Sequence, residues 1–143
     1  MSNEDIIVVM SLKDIAYSIE LIQSRFKAIS VVDDFLENEI GLEKLDSISM
    51  RLIAIGEAFK QIDKLTDKAL LSSYPQIEWK QVKGIRDVLS HHYFDLDAEV
   101  IYYVCRDYLS DLLEVVWKMI GEYEIPNDDT VESMKDMDNK NKK

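Results

Sequence analysis

The stretch DIIVVMSLKDIAYSIELIQSRFKAIS, residues 5–30, decides the fold class. Its apolar residues Val8, Leu12, Ile15, Ile19, Ile22, Phe26 and Ile29 recur at steps of 4, 3, 4, 3, 4 and 3. A helix advances ~100° per residue, so this alternation keeps all seven on one face; a strand would scatter them over both. The stretch therefore predicts a long helix with one apolar seam, which needs a cover.

A second seam supplies one. Leu45, Ile48, Leu52, Ile55, Phe59 and Ile62 are spaced 3, 4, 3, 4 and 3 apart and predict a helix from about Leu42 to Leu65. Between the seams, Val31 to Gly41 is less regular and holds Asp33, Asp34, Phe35, Glu37 and Glu39. Thr66 is the expected N-cap of a short helix with Asp67 in its first turn, stopped ahead of Pro75. A third long helix is expected from Glu78 to Ser90 or slightly beyond. Asp97 caps a fourth, Ala98 to about Glu122, burying Val100 or Ile101, Val104, Tyr108, Leu112, Val115 and Met119. Only four glycines and two prolines punctuate 143 residues, too few for a sheet-rich fold. The expected architecture is all-α: an antiparallel four-helix bundle with an extra short helix over residues 1–125. Residues 126–143 are polar and mixed in charge, and are expected to be a disordered tail.

A net charge of −11 argues against non-specific binding to nucleic acid or anionic membrane. One cysteine, Cys105, permits no internal disulfide and fits a reducing compartment. The N-terminus is acidic where a signal peptide is basic, and no apolar run approaches the ~20 residues of a membrane span. A cytoplasmic protein is expected.

The chemistry gathers in Gly84-Ile85-Arg86-Asp87-Val88-Leu89-Ser90-His91-His92-Tyr93, an R-x4-H-x-Y arrangement holding both histidines of the chain. A permanently charged guanidinium, an imidazole titrating near neutrality and a phenol can together hold and act on a phosphate. Between Gln76 and Phe94, Lys80, Lys83 and Arg86 outweigh Glu78 and Asp87 by one charge, a mildly positive island on an acidic chain. On a continuous helix Asp87 and His91 share a face, as do Arg86 and Tyr93, whereas Arg86 and His91 lie about 140° apart. Either the helix ends near His91, or the two groups converge from two copies of the protein.

Taken singly, each residue has a plainer reading. Arg86 suits a solvated surface, a histidine near a helix end suits the macrodipole, and Tyr93-Phe94 suits a core anchor. His91 and His92 point apart and have no partner at i+4, so no metal site is expected. No E-x-x-H pair suggests a di-iron bundle, and Cys105 fits the apolar pattern of its helix. Gly56 opens no phosphate loop; close helix–helix packing is its expected reason. Glu57 beside it faces either the bundle or solvent.

Three segments, in order, carry a resemblance: Arg51-Leu52-Ile53-Ala54-Ile55-Gly56-Glu57-Ala58, then Tyr74-Pro75-Gln76-Ile77-Glu78-Trp79, then Gly84 to Asp97 with the R-x4-H-x-Y core. Over about residues 5–120 the chain resembles the HepT-like branch of the HEPN (higher eukaryotes and prokaryotes nucleotide-binding) domains. The resemblance implies a HEPN-type bundle that is the ribonuclease toxin of a toxin–antitoxin pair, working without metal or other cofactor and usually as a homodimer with both R-x4-H motifs lining one cleft. It implies an MntA-like minimal nucleotidyltransferase as antitoxin, silencing the toxin by transferring AMP to the motif tyrosine. Carried over, Arg86 holds the scissile phosphate of an RNA substrate, His91 is the general base or acid, Asp87 orients it, and Tyr93 is the adenylylation acceptor. His92 departs from the acidic or amide residue more usual there, and either substitutes in catalysis or adds positive charge. A rival expectation, motivated by the charge of −11, is a non-catalytic nucleotide- or partner-binding helical module.

Overall fold

Helix α1 (Asn3–Phe26) starts at Ser2, whose hydroxyl accepts from the Asp5 amide (3.1 Å) while the Asp5 carboxylate accepts from the Ser2 amide (3.2 Å). This reciprocal capping satisfies two donors that the first turn leaves open. In the computed structural model, residues 1–92 and 95–124 are described, 90–92 and 95 by backbone alone. The seam is buried as its spacing predicts, from Val8 through Ile22. The helix ends at Phe26, whose ring packs on Phe35 and Tyr102, so Ile29 enters the core from the connection beyond the helix.

A 3-10 turn (Val32–Phe35) shapes that connection and inserts Phe35 into the core with no solvent exposure. The Asp34 carboxylate accepts from the amides of Ser30 (2.7 Å) and Val31 (3.1 Å), which holds its pKa below the ordinary value. Asn38 caps α2 (Glu39–Leu65), which starts three residues ahead of Leu42. All six residues of the second seam are buried.

Thr66 closes α2, its hydroxyl donating back to the Ile62 carbonyl (2.9 Å), and the same oxygen accepts from the Leu70 amide of the next helix (3.4 Å), a looser cap than expected. Asp67 and Lys68 then take left-handed backbone, φ 50° and 65°, and the short helix α3 (Ala69–Ser72) starts only after them.

The expected third helix is two helices. Gly84 separates α4 (Trp79–Lys83) from α5 (Ile85–Leu89), and the chain leaves helical geometry at Ser90. Strands β1 (Ser90–His92) and β2 (Asp95–Leu96) pair antiparallel, Ser90 opposite Leu96 and His92 opposite Asp95. The expected fourth helix is also interrupted: α6 (Ala98–Asp107) is capped by the Asp97 side chain, and α7 (Leu109–Glu124) follows a break at Tyr108. The break turns Tyr108 out to 64% exposure, against its expected burial, and puts Leu109 in the core instead.

The assembly is the expected all-α bundle. Its rods are α1, α2, α4–α5 and α6–α7. Lys13–Glu124 (2.6 Å) and Gln23–Ser110 (3.4 Å) run in opposite chain directions, so α1 and α7 are antiparallel. Among the described residues no helix is long and apolar enough to cross a membrane. The expected tail, 126–143, lies outside the described residues.

Candidate active site

Three ties fix α4 and α5, and with them Arg86, against α2, and another ties the approach to α4 to α7. The first is Gly56. A Cβ there would stand 2.6 Å from the Val82 carbonyl oxygen and 2.9 Å from Cγ2 of Ile85, so the α4–α5 junction rests directly on the α2 backbone. The close packing expected of Gly56 is thus observed. Second, the Trp79 ring packs at 4.9 Å on Phe59, a fully buried residue of α2. Third, the Trp79 indole donates to the Tyr74 carbonyl (2.9 Å), while the Tyr74 hydroxyl donates to the Glu122 carboxylate (2.5 Å). Burial, then that carboxylate, pushes the Tyr74 phenol up to about 12. Fourth, the Lys83 ammonium pairs with the buried Asp63 of α2 at 2.8 Å. This last tie joins residues 20 apart and left no signal in the sequence.

Thus two of the three quoted segments have structural reasons. In Tyr74-Pro75-Gln76-Ile77-Glu78-Trp79, the tyrosine reaches α7 and the tryptophan reaches α2. In the segment Arg51–Ala58, Gly56 seats the junction and the Arg51 guanidinium donates to Ser18 of α1 (3.3 Å). Glu57 faces solvent and pairs with Lys60 at 3.1 Å, which settles its two readings.

The third segment is presented rather than packed. Leu89 is fully buried and anchors α5, and its carbonyl accepts from the Asp97 amide (3.1 Å). Arg86, Asp87 and Val88 on the preceding turn are exposed. Among the described residues no ion pair engages the Arg86 guanidinium, so it can take an anionic ligand without first losing a partner.

His91 and His92 follow on the extended backbone of β1, and Tyr93 lies outside the described residues. The helix therefore ends before His91, the first of the two alternatives open in the sequence. The 140° separation and the shared face of Asp87 and His91 both assumed a continuous helix and do not apply. Arg86 comes from a helical turn and His91 from the strand that succeeds it, so their relation is set by the turn out of α5.

Burial raises the Cys105 thiol to about 12, which keeps it protonated and unreactive at neutral pH. Tyr102 donates its hydroxyl to the Ser30 carbonyl (2.8 Å), and Arg106 covers the rings of Tyr102 and Tyr103 at 5.5 and 4.7 Å.

Residues 15–119, a span that includes all three segments, match the family model described as "Ribonuclease HepT-like". Among curated relatives, the chain is 24% identical over 125 residues to the Methanocaldococcus jannaschii protein named "Putative RNase MJ0127", covering 85% of this chain and all of that one. It is 28% identical over 101 residues to the Thermococcus cleftensis protein named "Probable ribonuclease HepT", covering 71% of this chain and 84% of that one. No solved structure gives a significant match.

Proposed function

Because the chain belongs to the HepT-like ribonuclease family, we propose that it is an endoribonuclease toxin whose phosphate-handling groups are Arg86 and His91. The observation that carries the reading is the family match across residues 15–119, which contains the whole R-x4-H-x-Y motif. The exposed Arg86, which no ion pair among the described residues engages, supports it from a firmly seated α5.

In the proposed reaction the RNA 2′-oxygen attacks the adjacent phosphorus. The new P–O2′ bond forms as the P–O5′ bond breaks, leaving a 2′,3′-cyclic phosphate and a 5′-hydroxyl. Arg86 holds the phosphate and offsets the charge that builds on its oxygens. His91 takes the 2′-hydroxyl proton as base, or supplies the proton to the departing 5′-oxygen as acid. Asp87 orients His91, and His92 adds a second imidazole. A homodimer brings two such motifs to one cleft, one imidazole serving as base and the other as acid. The site is cytoplasmic, where RNA is at hand, and uses no cofactor.

Control falls to an MntA-like nucleotidyltransferase antitoxin, which transfers AMP from ATP to Tyr93. The Tyr93 phenol oxygen attacks the α-phosphorus, the bond to the β-phosphate bridge breaks, and pyrophosphate departs. Intact-mass analysis with the partner and ATP tests this: adenylate additions are expected on the wild type and absent from Tyr93→Phe. Additions persisting in that variant transfer the role to another tyrosine. Tyr103, 40% exposed, is then the better candidate than Tyr102, whose hydroxyl is engaged with Ser30. For the cleavage itself, incubation with total RNA should show cutting by the wild type and far slower cutting by His91→Ala; equal cutting by both removes His91 from the mechanism.

A further inference from the structure

A ribonuclease with a net charge of −11 needs a path for the rest of the strand. Six of the 17 lysines and arginines fall between residues 60 and 86: Lys60, Lys64, Lys68, Lys80, Lys83 and Arg86. Four of them, Lys60, Lys64, Lys68 and Lys83, line one open groove of about 550 Å³ at the C-terminal end of α2, with Glu57, Gln61, Asp63 and Asp67. Two of the three carboxylates are occupied, Glu57 by Lys60 and Asp63 by Lys83. Among the described residues, no ion pair engages Lys64 or Lys68.

Lys68 has a further peculiarity. It sits at φ 65° directly after Asp67 at φ 50°, left-handed backbone that favours glycine or asparagine. The Lys68 amide donates back to the Asp63 carbonyl (2.8 Å), the closing bond of a helix end. Here it ends α2 and leaves Lys68 on the groove beside Lys64. Lys83, which lines the groove, lies three residues ahead of Arg86 in the chain, and Gly56 seats the α4 backbone at Val82 and the Ile85 side chain of α5.

We propose that this groove binds the sugar–phosphate backbone of single-stranded RNA flanking the phosphate held by Arg86, with Lys64 and Lys68 as its principal contacts. The proposal rests on the ribonuclease reading. Ammonium groups act on phosphodiesters as point charges and impose no base preference, which fits a backbone track. The neighbouring carboxylates hold the affinity low and make it dependent on salt. A protein surface as occupant is the competing possibility that the test separates.

The experiment compares wild type, Lys64→Gln with Lys68→Gln, and a control of equal charge change on α1 and α7, Lys13→Gln with Lys118→Gln. Binding of a fluorescent single-stranded oligoribonucleotide is followed by anisotropy over a range of salt, together with KM and kcat for its cleavage. The groove pair should weaken binding and raise KM roughly tenfold at unchanged kcat, and lower the log–log salt slope by ~1.4, which is ~0.7 per lost phosphate contact. The control pair should match the wild type. Groove-pair binding and KM equal to those of the control overturn the proposal and leave the groove to a protein partner. Wild type that binds through the groove without cutting overturns the ribonuclease reading alone, and wild type that neither binds nor cuts overturns both.

Discussion

At the scale of single residues, the two groups to which the proposal gives the phosphate, Arg86 and His91, stand on two kinds of local structure. Arg86 stands exposed on a one-turn helix, and His91 follows on extended backbone that begins at Ser90. R-x4-H is thus a spacing across a helix end, and the 140° separation of a continuous helix does not describe it. Tyr74 acts in support: its hydrogen bond to Glu122 ties the segment that leads into α4 to α7. Tyr74→Phe should lower stability by about 1–2 kcal/mol, since it leaves a carboxylate oxygen without its donor. Its pH dependence has a definite sign. The folded phenol titrates at about 12, above its ordinary 10.0, so the bond's contribution is complete below pH 10 and is lost as pH rises towards 12. Thermal melts of wild type and Tyr74→Phe should therefore converge above pH 10; a constant gap across that range contradicts the assignment.

At the scale of elements, the long helices were legible and the short ones were not. The seams of α1 and α2 persist for six or seven residues each, so burial selects one helical face without ambiguity. The break at Gly84 and the exit at Ser90 fall within a few residues, too short a span for periodicity to register. Tyr108 carries no proline or glycine nearby to mark the interruption between α6 and α7. Gly56 was legible as a close contact, though its partner, the junction of α4 and α5, was not. Gly56→Ala tests that contact, because its new methyl meets backbone at Val82 and cannot be relieved by a side-chain rotation. A destabilisation of about 1–3 kcal/mol is expected, with a fall in ribonuclease activity as Arg86 shifts; circular dichroism melts and cleavage rates read the two effects. Activity unchanged in a folded Gly56→Ala protein contradicts the view that this seat positions the motif.

At the scale of the whole molecule, family membership and fold agree on a helical ribonuclease, and charge is the feature that needs reconciling. A net charge of −11 disfavours RNA over most of the surface, and the proposed groove puts the affinity where lysines gather between residues 60 and 86. The sequence showed part of this as an excess of one positive charge around the motif. It did not show that Lys60, Lys64 and Lys68, well upstream, line the same groove as Lys83, because that depends on how α4 docks on α2. The catalytic assignment itself was legible only as a spacing strengthened by resemblance, since neither histidine nor the arginine carries a signature of its own. Cleavage of a defined single-stranded oligoribonucleotide by the purified wild type, Arg86→Ala and His91→Ala, with the product ends identified by mass, tests that assignment most directly. The account predicts a 2′,3′-cyclic phosphate product from the wild type and rates lower by roughly 10²–10⁴-fold in the His91 variant, with Arg86→Ala comparably impaired; cleavage by either variant at the wild-type rate contradicts it.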